Sequence, residues 1–193
     1  MRWQIVGLTF VSSATIIGVS VGPQGLTDSA LVAALRGTAF LSLGLFLAAF
    51  VASSVNRLWP GSIGKWLLRE RRYIGVSFAL SHFIHLGLIA MRAALHPAIF
   101  FEQKPPLQMI PGATAYAFIA AMAITSFTGP ARALGRRRWL GLHKIGVYVI
   151  WVLFVMAFAS RMRGTPLDAL ALPVLLGALG LRIAARREAK SNA

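Results

Sequence analysis

The sequence predicts an all-α membrane protein: a bundle of six transmembrane helices with both termini in the cytoplasm. Three observations carry that expectation. Apolar residues make up 57% of the 193-residue chain and charged residues only 13%, with a mean hydropathy of +0.70; this balance suits lipid as the main solvent. The apolar residues gather into runs at about 5–21, 31–55, 73–95, 113–127, 140–160 and 167–184. Most approach or exceed the roughly 20 residues that cross a hydrocarbon core; the fourth is short. Finally, charge alternates between connections. One side receives Arg2, Arg57, Lys65, Arg69, Arg71, Arg72, the arginines of 132–138, Lys144 and the basic tail, whereas the other receives Lys104, Arg161 and Arg163. That asymmetry obeys the positive-inside rule. It also accounts for most of the net charge of +15, so no nucleic-acid partner is expected.

Each run has recognisable ends. The first follows a short basic start and is read as a retained span rather than a signal peptide, because it is long for a signal core and "SVGPQG" is a poor cleavage site. "GPQGLTDS" separates the first two spans, and Pro60-Gly61 turns the chain between the second and third. Pro97 stops the third span, and Pro105, Pro106 and Pro111 stiffen the long connection after it. "TGPARALGRRRW" returns the chain after the fourth. Before the sixth, Thr165 is placed as N-cap, Pro166 as first helical residue and Asp168 near the positive end of the dipole. Pro173 is expected to kink that helix. No repeat, soluble domain or nucleotide-binding glycine motif is evident, so residues 1–193 form one integral membrane domain. With no cysteine, disulfides, thiolate metal sites and iron–sulfur clusters are excluded from this chain.

All five acidic residues, Asp28, Glu70, Glu102, Asp168 and Glu188, are assigned to loops or tails, which removes the carboxylate relay of a proton pathway. Histidine and arginine remain within the spans. At about 100° per residue, His82 and His85 lie about 60° apart, and Arg92 and His96 fall within about 20° of His85. Such a stripe must face protein, cofactor or water rather than lipid. His143 begins the fifth span, which runs parallel to the third. Two parallel helices that each offer an imidazole can clamp a planar macrocycle, and haem iron takes two axial ligands on opposite faces. Zinc would prefer four ligands. The plain alternative is that the histidines only cross-link helices by hydrogen bonds.

The residues from about 36 to 160 resemble the ferric reductase-like transmembrane domain family, and within it the haem-binding subunit of the periplasmic methionine sulfoxide reductase system. Arg71, Arg72, Ile74 and Gly75 leading to His85 carry the resemblance. So do Thr125 and Ser126, and the block Leu134, Gly135, Trp139, Leu142, His143 and Tyr148. The resemblance implies b-type haem with His85 and His143 as axial ligands to the iron. His82, one turn from His85, is the alternative ligand. A second haem, between His96 and Met156, is a minor expectation, because the subunit's pattern has a histidine where this chain has Met156. Arg92 and Arg36 are read either as partners of haem propionates or as side chains that snorkel to the interface.

The function this implies is a relay of electrons in the bacterial inner membrane, as one subunit of an oxidoreductase rather than a complete enzyme. The donor would be a separate reductase or a quinol, so that flavin or quinone enters only through a partner. The acceptor would be a periplasmic oxidoreductase or a metal ion. The competing expectation is a cofactor-free multi-pass scaffold or small transporter, with lipid as its main partner.

Overall fold

The computed structural model describes residues 2–161 and 164–191; Arg163, named above for its charge, lies outside them. Helices α1 (Arg2–Val21), α2 (Asp28–Leu58), α3 (Ser62–Leu95), α4 (Pro97–Gln103), α5 (Ile110–Ile124), α6 (Thr128–Leu134), α7 (Arg136–Ala159) and α8 (Pro166–Ser191) account for nearly all of them, and a 3-10 turn covers Pro106–Met109. Six helical segments are long and apolar enough to cross a membrane, and together they define a multi-pass membrane protein. Large side chains such as Leu8, Val19, Ile145 and Leu167 lie exposed on the outside, as lipid-facing positions should.

Local chemistry sets the helix ends. Thr27 caps α2 by accepting from Ala30 N at 3.3 Å. Gly135, with φ +79° and ψ 150°, makes the turn between α6 and α7, a backbone conformation that is nearly glycine-only. Thr165 accepts from Asp168 N at 3.3 Å, and α8 begins at Pro166 as expected. α8 continues as helix through Pro173.

Several expected boundaries move. The connection before the third span shrinks to the few residues around Pro60, because α3 starts at Ser62 and takes Lys65 and Arg69–Arg72 into its first turns. The expected span 113–127 becomes α5, Ile110–Ile124, preceded by the 3-10 turn. The assignment of every carboxylate to a loop or tail is also wrong. Glu70 lies inside α3, 3% exposed, with Oε1 bonded to Arg69 Nε at 2.9 Å. Asp168 is buried in the first turn of α8.

The packed centre lies among α2, α3, α7 and α8. Phe46 meets Phe50, Phe78 and Phe154 with ring centroids 5.3, 5.5 and 5.3 Å apart, and Phe158 continues the row onto Phe40. In lipid such a core is held by close packing rather than by escape from water. Glycines permit that closeness at several seams, of which two matter here. A Cβ at Gly64 would lie 2.8 Å from Asn56 Cα, and one at Gly146 would lie 2.6 Å from Met122 Sδ. Trp3 packs on Tyr73, and Arg57 bonds the Ala185 carbonyl. The starts of α1 and α3 and the ends of α2 and α8 therefore share one end of the bundle.

Candidate functional site

His82 and His85 face the bundle interior from the middle of α3. Their rings stack, with centroids 5.4 Å apart and planes 16° from parallel, as residues one helical turn apart should. The His82 ring also lies 5.0 Å from Tyr116 of α5 and 5.8 Å from Phe154 of α7. His82 Nδ1 and the Tyr116 hydroxyl are both buried without a hydrogen-bond partner among the described residues.

His85 is held differently. Its Nδ1 lies 2.9 Å from Thr38 Oγ1 on α2. Thr38 directs its single hydroxyl proton back to the carbonyls of its own helix, Ala34 O at 2.9 Å and Leu35 O at 3.2 Å. A hydroxyl has one proton to give, so when Thr38 spends it on Ala34 O the imidazole donates Nδ1–H to Thr38. Nε2 is then the ring nitrogen that keeps its lone pair.

The same device recurs at His143. Its Nε2 lies 3.1 Å from Thr125 Oγ1, and Thr125 donates to Ala121 O at 2.7 Å. Here Nε2 donates and Nδ1 keeps the lone pair. Trp139 packs against this ring at 4.5 Å and donates Nε1–H to Thr125 O at 2.8 Å.

The structure does not bring His143 opposite His82 or His85. His82 is level with Phe154, eleven residues beyond His143, or about 16 Å along α7. On α5 it is level with Tyr116, nine residues before Thr125, or about 13 Å. Both measures place the His143 imidazole at a different depth from His82 and His85. Angular periodicity predicted the direction of each ring, whereas height depends on how the helices slide past one another.

The rest of the stripe has other tasks. Arg92 makes a two-pronged bond to Asp28, Nε to Oδ1 at 2.7 Å and Nη2 to Oδ2 at 3.0 Å, and also reaches Gln103 Oε1 at 2.9 Å. Arg36 pairs with the buried Asp168 and donates to Thr165 Oγ1 at 2.9 Å. Carboxylates of the chain itself thus fill the role the sequence reading gave to propionates or to the interface. His96 Nε2 donates to Leu26 O at 2.9 Å. Met156 is 55% exposed and lines an outward groove of about 810 Å³ together with Ile145 and Val152. A second haem between His96 and Met156 has no support in this arrangement.

Sequence reasoning missed Thr38 and Tyr116 altogether and took Thr125 only as part of a motif. The signal was present: a hydroxyl in an apolar span needs a partner inside the protein. No family model matches the chain, and no curated protein or solved structure matches it either.

Proposed function

We propose that the chain is a b-type haem electron-transfer subunit of the ferric reductase-like kind, with its basic end towards the cytoplasm. In this reading His85, with His82 beside it, and His143 each serve their own haem at separate depths. The observation that carries it is the pair of threonine bonds: each engages one ring nitrogen of an interior imidazole and so orients the ring. Iron-bound histidine is held in the same way, with its second ring nitrogen engaged. The donor set fits haem in kind, since neutral imidazole is a common axial ligand, and Phe78, Phe154 and Tyr116 supply flat, apolar neighbours.

Bound haem would supply a one-electron couple in a low-dielectric interior. The protein's own residues do the rest. Thr38 keeps His85 Nδ1 protonated and Nε2 free, Thr125 orients His143, and the two depths offer successive stations across the bundle. A partner reductase or quinol at the basic end and an acceptor at the other end would complete the relay.

The visible spectrum of detergent-purified protein from haem-replete cells, before and after dithionite, tests this. A reduced b-type spectrum is expected. His85→Ala and His143→Ala should each remove part of it, and the double variant all of it. Complete loss from either single variant would mean one shared iron. Colourless wild-type protein would overturn the reading.

A second reading has an observation in its favour. The same bonds tie α2 to α3 and α5 to α7, as the histidines of a cofactor-free scaffold would. Under that reading the protein is colourless, and the histidine variants lose stability alone.

A further inference from the structure

At the basic end of the bundle, the last turns of α2 meet α8 around a small cavity of about 170 Å³. It is lined by Ser53, Ser54, Arg57, Arg182, Ala185 and Arg186. From this cavity we infer that the chain carries a phosphate-binding site, built by Arg57, Arg182 and Arg186 with the two serine hydroxyls. The inference is independent of the haem reading.

The guanidinium groups are positioned without being neutralised. Arg57 Nη1 donates to Ala185 O at 3.3 Å, and Arg182 Nη1 donates to Phe50 O. The Arg182 guanidinium also lies over the Phe50 ring at 4.2 Å and near the Tyr148 ring at 5.2 Å, while Arg186 stands 5.6 Å from Tyr148. Nearby, Arg71 Nε bonds Ala49 O at 3.1 Å. Carbonyls and aromatic faces orient these cations but leave their charge in place. Among the described residues the ion pairs are Arg36–Asp168, Arg69–Glu70 and Arg92–Asp28, so no carboxylate pairs with Arg57, Arg182 or Arg186. Neither Ser53 nor Ser54 bonds another group of the described residues through its hydroxyl.

Three positive forks around a polar cavity match a tetrahedral, doubly bonded anion. Arg57 and Arg182 retain N–H donors that their carbonyl bonds do not use, Arg186 makes no such bond among the described residues, and each serine can add an O–H. Topology alone explains basic residues on one side of a membrane, but it does not require them to converge. The exposed Arg136, Arg137 and Arg138 on α7 meet the topological need without forming such a cavity. The phosphate can belong to an anionic phospholipid headgroup or to a soluble phosphate compound, since the site lies at the end of the membrane-crossing helices.

Two arms separate these sources, both using the full chain. In neutral detergent, thermal unfolding is followed against inorganic phosphate, with chloride at matched ionic strength. In the second arm, the protein is reconstituted in phosphatidylcholine vesicles with and without phosphatidylglycerol, and retained lipid is measured. Stabilisation or retention is expected in at least one arm. Phosphate alone identifies a soluble ligand, and phosphatidylglycerol alone identifies the lipid. Arg57→Gln/Arg182→Gln should weaken the effect about tenfold or more, whereas Arg136→Gln/Arg137→Gln, with the same change in charge, should leave it intact. Because Arg182 also bonds Phe50 O, Ser53→Leu is the second variant: it fills the cavity from an exposed position and keeps every arginine. Blank results in both arms, equal loss in the Arg136/Arg137 control, or full binding by Ser53→Leu would overturn the inference.

Discussion

Thr38 and His85, on neighbouring helices and 47 residues apart, share a 2.9 Å hydrogen bond whose direction is set by the threonine's commitment to Ala34 O. Thr38→Val keeps the shape and removes the acceptor. A net loss of about 1–2 kcal/mol is expected, measured as a lower midpoint in denaturant. Under the proposed haem reading, haem retained per protein should fall as well, and Thr38→Ser should restore it.

Thr125 plays the matching part for His143, at 3.1 Å. Thr125→Val should therefore disturb only the contribution of that depth to the reduced spectrum, leaving the portion lost in His85→Ala in place. Difference spectra of Thr125→Val alone and combined with His85→Ala check this. Equal disturbance of both portions would contradict separate depths.

The Arg92–Asp28 fork closes the end of the bundle opposite the cavity lined by Arg57, Arg182 and Arg186. Arg92 is 8% and Asp28 25% exposed in their side chains. Arg92→Met strands the partly exposed Asp28 carboxylate and is expected to lower the denaturant midpoint. Asp28→Asn should cost less, and the double variant less than the sum. Denaturant midpoints of the four proteins close the cycle.

The α2–α3 turn depends on Gly64, where an added Cβ would lie 2.8 Å from Asn56 Cα and 2.9 Å from Trp59 O. Backbone cannot yield as a side-chain tip can, so Gly64→Ala is expected to destabilise by about 1–3 kcal/mol. At Gly44 nothing lies within 4 Å. Gly44→Ala should be neutral or gain up to about 1 kcal/mol.

Met156 points outward on α7. Met156→Leu should leave any reduced spectrum unchanged in position and intensity. A shifted spectrum would return Met156 to the iron.

The sequence by itself determined the material and the directions. Apolar run length and charge asymmetry are local, additive properties, so the six helices and the basic connections were legible, as was the polar stripe on the third span. Thr165, Pro166 and Asp168 also announced the start of α8, because capping is settled within one turn. Only the tertiary structure decided depth and partnership. The apolar run of the third span begins near residue 73, yet α3 begins at Ser62, so the run marks neither the end of the helix nor its depth against its neighbours. His85 and His143 accordingly stand at different depths, which the angular periodicity of either helix does not encode. Arg92 and Arg36 found Asp28 and Asp168 because buried charge requires the nearest opposite charge, and nearness across 64 or 132 residues is a property of packed helices rather than of sequence spacing.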